Sequence, residues 1–462
     1  MSASRPVSAP VSGHLSGRRV SVVYLPVQRA IVWATVGLYP VILVLTLKHV
    51  ISPSFAYSGF DYIVPDNQLY GPLIWLMAVL PGLVLPIRGK EPSLVALWTL
   101  YLLVYVPAQV VPVYASGRTL SSYLPFQGCL LLGFFITLLL SSIRPVTVKT
   151  LWLRPSLYWG GVALFSALTY VVVFQSFGVP TRIPGLLDVY DVRGDFLDEA
   201  AGQSGMVMYL MGWQGKVVNP LLMAFGVAHR RPAMLSLGVL GQVLLYSLTG
   251  HKSVLFSTLL VAGILIVYGR GARAVGAAMT LGTVGVIVLA ILMDAITGSV
   301  TWSSLFVRRL MLVPGLLTGY YHEFFVSNPK TLEFGPFFRP FTEYPYDLRV
   351  PFLIGSRYFG NPATGANANI WADGFASFGY WGVLGFSAIL GMLLFLMNSF
   401  ARNRDFRIAA VLAGVAVFNL VNSGLMTSIS THGLAVAIVL LLVYPRSSGA
   451  DGRVPETPGR KA

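Results

Sequence analysis

Two segments of this chain place ionisable side chains between long apolar runs. The first, at about 178–205, holds Arg193 in the aromatic and acidic run YDVRGDF. The second, at about 298–373, has Arg309 near its start. A guanidinium keeps its charge and presents a planar fork of donors, which suits phosphate or pyrophosphate. Both arginines are candidate anion ligands. The alternatives are a solvated acidic loop around Arg193 and contact of Arg309 with lipid head groups.

His322 and Glu323 follow in the second segment, and either could take a proton from a sugar hydroxyl. The run HEFFV lacks the second histidine of a zinc-protease motif. We therefore predict no metal and no cofactor. For His322 alone, a structural role is an open alternative.

Two lysines carry charge at unusual places. Lys252, in the hairpin LTGHKS, either anchors a helix end or binds phosphate, and the run lacks the glycine spacing of a nucleotide-binding loop. Lys216 lies inside the apolar run MGWQGKVVNP, close to Trp213. A charge at membrane depth is costly unless it is paired or functional. Extension of the Lys216 side chain toward an interface is the alternative.

The end of the second segment is rich in glycine and asparagine. Asn367, Asn369 and Asp373 could bind sugar hydroxyls there. Asp373 could instead cap the helix that we expect to begin near it.

The composition requires that these residues be positioned by a membrane protein. The chain is 55% hydrophobic and 11% charged, with mean hydropathy +0.72, whereas a soluble domain has roughly 25% charged residues. A formal charge of +15 fits basic cytoplasmic loops, and no nucleic-acid-binding motif is present. The single cysteine, Cys129, excludes an intramolecular disulfide.

Apolar runs of about 20 residues predict an all-α, polytopic integral membrane protein with about twelve transmembrane helices and two long outward loops, the two segments above. One transmembrane domain covers residues 29–446, between disordered cytoplasmic tails at 1–28 and 447–462. The predicted spans are 30–48, 69–87, 94–114, 124–142, 157–176, 205–228, 234–250, 253–269, 276–297, 374–399, 408–424 and 431–445.

Basic residues precede the first predicted span and follow every second span. Lys and Arg are enriched in cytoplasmic loops, so both termini are predicted to be cytoplasmic in a cytoplasmic (inner) membrane protein. The residues concerned are Arg18, Arg19, Arg29, Arg88, Lys90, Arg144, Lys149, Arg154, Arg230, Arg231, Arg270, Arg273, Arg402, Arg404, Arg407 and Arg446.

Four landmarks occur in order between about residues 185 and 390. They are Arg193 before a span with Trp213, Asn219 and Pro220; the hairpin Gly250, Lys252, Ser253; Arg309 and Pro314 before Tyr321, Glu323, Phe324, Phe325, Asn328 and Pro329; and Ile354, Gly355, Tyr358 to Asn361, Asn367, Asn369, Asp373, Gly374, Phe378, Gly379 and Gly382. This series resembles the bacterial oligosaccharide repeat unit polymerases, the Wzy-type O-antigen and capsule polymerases. One departure is His251, in a hairpin that is usually Thr-Gly-Ser-Lys-like.

The resemblance implies a GT-C-type membrane glycosyltransferase that polymerises undecaprenyl-pyrophosphate-linked repeat units at the outer face of the membrane. Its partners would be that lipid-linked glycan and the bilayer, with a chain-length regulator and a flippase as further candidates. By the same resemblance, the pyrophosphate ligands would be Arg193, Lys252 and Arg309; the catalytic residues Glu323, His322 and Arg309; and the glycan-binding residues Trp213, Tyr321, Asn367, Asn369 and Asp373.

Two other functions stay open. An O-antigen ligase or another polyprenyl-linked glycosyltransferase would share the architecture, and Asp61 and Asp66 leave room for a donor linked through a monophosphate. A flippase or transporter would be expected to show internal repeats and ionisable residues along its spans. Here the polar groups concentrate on one side of the membrane, which favours an enzyme.

Overall fold

The computed structural model describes residues 16–146, 152–185, 196, 202–269, 271–334, 343–402 and 404–445, with the backbone alone for 16–24. All regular elements in these ranges are helical. The helices, numbered along the chain, are α1 (Ser16–Thr46), α2 (Tyr70–Val84), α3 (Pro92–Ser116), α4 (Leu120–Ser141), α5 (Pro155–Phe177), α6 (205–228), α7 (Pro232–Thr249), α8 (Lys252–Gly269), α9 (Val275–Thr297), α10 (301–327), α11 (Val350–Phe359), α12 (Ile370–Ala401), α13 (Phe406–Asn419), α14 (Leu425–Ser430) and α15 (Leu434–Val443).

The chain is an all-α polytopic membrane protein. Within the described ranges, nine helical segments are long and apolar enough to cross a membrane, and α2 and α13 are shorter apolar helices. The remaining predicted span, 205–228, is helical over its whole length but is not among these eleven. Its middle carries Gln214, Lys216 and Asn219, which lower its hydropathy.

The loops predicted to share the cytoplasmic side meet at one end of the helical body. Arg407 donates to the carbonyl of Ala228 at 3.1 Å. Asn398 donates to Ser93 Oγ and to the carbonyl of Ser141, both at 2.9 Å. We call this the basic end, and its loops are 85–91, 142–146, 152–154, 229–231, 271–274, 402, 404–405 and 444–445.

The other loops meet at the opposite end, which we call the far end. The N–H of Ile63 donates to the carbonyl of Tyr114 at 2.8 Å, and the Tyr246 hydroxyl donates to the carbonyl of Pro184 at 3.0 Å. These contacts agree with the predicted grouping of the loops, and which end faces the cytoplasm stays a prediction. The described parts of the far-end loops include 56–69, 117–119, 178–185, 250–251, 328–334, 343–349 and 360–369.

Helices occur within two segments that the sequence predicts as a tail and a long loop. Helix α1 begins at Ser16, so part of the predicted disordered tail is helical. The second long outward loop is largely helix, because α10 and α11 lie within it and α12 begins before its end. Pro351 lies in the first turn of α11 and favours the start of the helix there. N–H groups in the first turn of a helix have no hydrogen-bond partner within the helix, so the missing N–H of proline costs nothing.

Helix α12 is two limbs folded against each other. The backbone leaves helical values at Phe378 (φ −137°, ψ 17°) and at Gly379 (φ 64°, ψ −142°), where the left-handed φ favours glycine. Trp371 Nε1 donates to Ser387 Oγ at 2.9 Å, although the two residues would lie about 24 Å apart along a continuous helix. The first limb therefore turns back alongside the second.

Small residues allow the limbs of α12 to touch. A Cβ atom on Gly382 would collide with the backbone carbonyl of Gly374, and a Cβ on Gly374 would come within 2.8 Å of the Gly382 carbonyl oxygen. A second break, at Thr431 to Gly433, separates α14 from α15, with Gly433 at φ 78°. Broken helices at membrane depth are tolerated where protein buries them or where they line a cavity.

Candidate active site

The far end holds an ion pair between Arg118 and Glu323. Helix α3 ends at Gly117, whose φ of 63° lets the chain turn, and the Arg118 N–H donates to the carbonyl of Pro112 at 3.2 Å. The Arg118 guanidinium then donates to Glu323 Oε2 at 2.7 Å. The Arg118 side chain is 18% exposed and that of Glu323 is 41% exposed, so the carboxylate is held but remains accessible.

Two tyrosines complete the surroundings of Glu323. The rings of Tyr320 and Tyr358 stack with centroids 4.2 Å apart and planes 8° apart. The Tyr358 hydroxyl is hydrogen-bonded to Glu323, and burial together with that carboxylate raises the pKa of Tyr358. The Tyr320 hydroxyl lies against Gly59, where a Cβ atom would not fit. The carboxylate of Asp61 is close enough to interact electrostatically with the same hydroxyl. We call Arg118, Glu323, Tyr320 and Tyr358 the far-end cluster.

His322 points away from this cluster into an aromatic pocket. It is 3% exposed, and its ring centroid lies 4.6 Å from that of Phe126 and 5.0 Å from that of Phe375. Its Nε2 atom has no hydrogen-bond partner in the described part of the chain. Burial, with the nearby charges of Arg118 and Lys330, lowers the pKa of His322 to about 4. Of the two predicted bases, Glu323 is therefore the accessible one.

Two cations near these residues were not anticipated from the sequence. Arg118 lies in a turn of only a few residues between α3 and α4, whereas the prediction followed the long loops. Lys330 donates to the carbonyl of Phe325, and its ammonium lies 5.2 Å above the ring of Phe375. Burial lowers the pKa of Lys330. The only sequence feature that pointed to Arg118 was its position in the run SGRT, directly after the end of a predicted span.

The predicted pyrophosphate ligands are only partly described. Arg193 lies outside the described residues. Lys252 is the first residue of α8 and is half-buried. Arg309 is exposed on α10, and no described residue forms a hydrogen bond or ion pair with it. Arg309 and Glu323 belong to the same helix, roughly 20 Å apart along its axis, so they do not form the direct pair that would make one compact site.

Two of the predicted glycan ligands already hold the fold together. Tyr321 is buried and its hydroxyl donates to the carbonyl of Ala366 at 2.8 Å. Asn369 is fully buried and donates to Thr318 Oγ1 at 2.6 Å, while its Oδ1 accepts the N–H groups of Trp371 and Ala372. Asn369 therefore caps α12, which corrects the expectation that Asp373 would do so.

The other three predicted glycan ligands differ in accessibility. Asn367 is exposed, between buried neighbours. The carboxylate of Asp373 faces the backbone N–H of Leu425, at the start of α14. Trp213 Nε1 donates to the carbonyl of Ser430, at the end of α14, at 2.7 Å. Asp373 and Trp213 thus fix the two ends of one short helix, and Asn367 alone is open to a ligand.

Among the described residues, no three side chains of His, Cys, Asp and Glu come together as a metal site would require. Comparison with protein-family models, curated proteins and solved structures finds no match to this chain. A function must therefore be inferred from the residues themselves.

The far-end cluster has the parts of a general-base site. A carboxylate can accept a proton only from a donor within hydrogen-bond reach, and Glu323 is the accessible carboxylate that Arg118 and Tyr358 hold in one orientation. The half-buried ring of Tyr358, which stacks on the buried ring of Tyr320, provides apolar area with a polar hydroxyl end, and this matches the mixed surface of a sugar. The arrangement is suited to activating a hydroxyl group of a glycan.

Proposed function

We propose that this chain is a GT-C-type membrane glycosyltransferase that polymerises oligosaccharide units carried on undecaprenyl pyrophosphate. The observation that carries the proposal is the accessible, oriented carboxylate of Glu323 beside stacked tyrosines at the far end of a membrane-spanning helical body. The resemblance of the ordered landmarks to the Wzy-type polymerases supports the same function.

In the proposed reaction, Glu323 accepts the proton of a hydroxyl on the incoming repeat unit. The hydroxyl oxygen forms a bond to the anomeric carbon of the growing chain, and the bond from that carbon to the lipid pyrophosphate breaks. The pyrophosphate leaves with the electron pair, and fixed cations stabilise the charge that develops on it. Arg309, Lys252 and Arg193 stay the predicted ligands for this role, and Arg309 lies roughly 20 Å along α10 from Glu323.

The proposed enzyme lies in the cytoplasmic membrane with the far end outward. The loops of the basic end carry the arginines and lysines that the positive-inside rule places in the cytoplasm. The far-end cluster would then face the side on which lipid-linked units are joined.

The test uses the purified full chain in proteoliposomes with the native lipid-linked repeat unit, and the products are resolved on a gel. We expect a ladder of lengths from the wild type and a large loss of the longer products from Arg309→Ala. Absence of a ladder, with the substrate carried intact across the bilayer, would contradict the polymerase and favour a transporter.

A glycosyltransferase that uses a polyprenyl monophosphate is the second candidate. Asp61 favours it, because this carboxylate of the first far-end loop lies close enough to act on Tyr320 of the cluster. Replacement of Asp61 by Asn separates the two candidates. The variant should keep the ladder if Glu323 is the base, and should lose it if the first-loop carboxylate is required.

A further inference from the structure

Lys216 lies deep in the helical body, on a turn that departs from regular α-helix. It sits in the π-helical turn Gln214–Val218 of α6, a wide turn that often marks functional positions. Helix α6 begins at the far end with Gly205, and Lys216 lies roughly 16 Å further along the axis. The turn is packed against α5, α7, α8, α13 and α15.

The break between α14 and α15 lies directly against this turn. A Cβ atom on Gly212 would collide with the carbonyl of Thr431, and a Cβ on Gly433 would come within 2.7 Å of Val217. The break places His432 beside Lys216, close enough for the lysine charge to act on the histidine ring. The side chains of Lys216 and His432 thus lie near each other where two irregular backbone segments touch.

Both of these groups lack partners. No described residue accepts a hydrogen bond from Lys216 or forms an ion pair with it, and no carboxylate in the described ranges acts on its charge. His432 Nδ1 is buried without a hydrogen-bond partner, within the same ranges. Buried donors without acceptors are unfavourable, and an anion that accepts from both groups would satisfy them.

The opposite face of the same helix carries a network of hydrogen-bonded amides. Asn219 Oδ1 accepts from Gln214 Nε2 at 2.8 Å, and Asn219 Nδ2 donates to Gln242 Oε1 at 3.3 Å. Gln242 Nε2 in turn donates to Ser257 Oγ at 2.7 Å. Every donor named here has a protein acceptor, although Gln214 Oε1 is buried without a partner, whereas Lys216 has no acceptor among the described residues.

Lys216 and His432 are not sealed inside the protein. Tyr209, Gly212 and Lys216 recur at helical spacing on α6, and each keeps part of its surface accessible. Thr427 of α14 is exposed, and His432 keeps part of its surface accessible. The two nitrogen-bearing side chains are therefore partly accessible where α6 meets the α14–α15 segment.

We propose that Lys216 and His432 form a binding site for a phosphate-type anion where α6 meets the α14–α15 segment. The ammonium supplies a compact positive charge with three donors, and the histidine ring supplies an N–H donor beside it. A polymerase that joins two pyrophosphate-linked units must hold two pyrophosphates, so the assignment to a lipid-linked pyrophosphate rests on the proposed function. The anion site itself does not.

The first experiment measures binding of inorganic pyrophosphate to the purified full chain in detergent by calorimetry. Hydrogen bonds to charged groups are strong enough that Lys216→Gln should weaken binding tenfold to a hundredfold, while Lys216→Arg should retain most of it. The matched control is Lys90→Gln, at the basic end, where Lys90 lies over the Phe406 ring. That variant should bind like the wild type.

A second variant and a thermal melt guard against a folding artefact. His432→Gln keeps the Lys216 charge and should weaken binding severalfold. Pyrophosphate should raise the melting temperature of the wild type and not that of Lys216→Gln, because a ligand stabilises only the protein that binds it. Without ligand, Lys216→Gln should melt at or above the wild-type temperature, since it removes an unpaired charge.

The source of the anion is separated by a parallel titration with undecaprenyl phosphate in mixed micelles. Lys216-dependent binding of both probes means a site reached from water, and Lys216-dependent binding of the lipid alone means a site reached from the bilayer. Either result supports the site. Binding of both probes that is unchanged in Lys216→Gln, or binding of neither probe, overturns it. A chain that makes no glycan ladder but binds through Lys216 would contradict the proposed function alone.

Discussion

The far-end cluster and the interior of the bundle use polar side chains in opposite ways. In the interior, amides such as Asn219, Gln242 and Asn369 form hydrogen bonds with neighbouring protein groups. At the far end, Glu323 is fixed by Arg118 yet 41% exposed, so it can still accept a proton or a hydrogen bond. Amides whose hydrogen bonds are all made within the protein stabilise the structure. An oriented carboxylate that can still accept a hydrogen bond or a proton can act on a substrate. Substitutions at such packed interior positions should therefore change stability, whereas substitutions in the far-end cluster should change activity, and those at the unpartnered Lys216 should change binding.

The largest expected effect on stability is in the α12 hairpin. Gly382→Ala should lower the free energy of unfolding by about 3 kcal/mol, because the new Cβ meets the Gly374 carbonyl of the opposing limb. Gly385→Ala, on the same limb, meets no atom within 4 Å and should be neutral or slightly stabilising. Thermal melts of both variants in detergent measure the difference. Equal melting temperatures would show that the limbs do not pack as described.

A smaller stability difference is expected between two asparagines of one segment. Asn369→Ala removes the cap of α12 and a buried bond to Thr318, which should cost about 2 kcal/mol of unfolding free energy. Asn367→Ala, at an exposed position, should stay within about 0.5 kcal/mol of the wild type. Denaturation of both variants under one condition compares them. A destabilised Asn367→Ala would contradict its assignment as the open residue.

These two predictions also show what the sequence could provide. Apolar runs were sufficient for the predicted spans, which are helical, but α10 and α11 lie outside those spans, and the side that each end faces stays a prediction. The breaks at Phe378–Gly379 and at Thr431–Gly433 were not predicted, since glycine within an apolar run is locally compatible with a continuous helix. Contacts between residues distant in sequence, such as Trp371 with Ser387, decide those breaks.

The candidate site was predictable to the same limited extent. His322 and Glu323 stood out because ionisable residues are rare in such a sequence, but neighbouring residues on a helix point in different directions, and only one is accessible. Arg118 could not be assigned, because its partner lies far along the chain and its own turn is short. The role of Arg193 stays a prediction, as its position is outside the described residues.

Arg118→Met tests whether a substitution in the far-end cluster changes activity and leaves stability nearly unchanged. Glu323 would lose the cation that orients it, so ladder formation should fall about tenfold or more. The free energy of unfolding should change by less than about 1 kcal/mol, since partly exposed ion pairs contribute little. Arg118→Lys should restore part of the activity. A loss of activity that merely follows a loss of stability would assign Arg118 to structure.

The smallest effect concerns pH and His322. Its pKa is about 4 in the folded chain and would be 6.5 when unfolded. Between these values the unfolded chain binds a proton that the folded chain does not, so stability falls as the pH is lowered from about 6.5 toward 4. His322→Phe should flatten this part of the curve of melting temperature against pH. An unchanged slope would mean that His322 is protonated in the folded protein.

The most direct test of the central claim is ladder formation by Glu323→Gln compared with Glu343→Gln, an exposed glutamate in the same far-end segment. Loss of a general base typically costs 10²-fold or more, so Glu323→Gln should reduce chain extension by at least about a hundredfold at an unchanged melting temperature. Glu343→Gln should extend chains like the wild type. A wild-type ladder from Glu323→Gln would contradict the assignment of the far-end cluster as the active site.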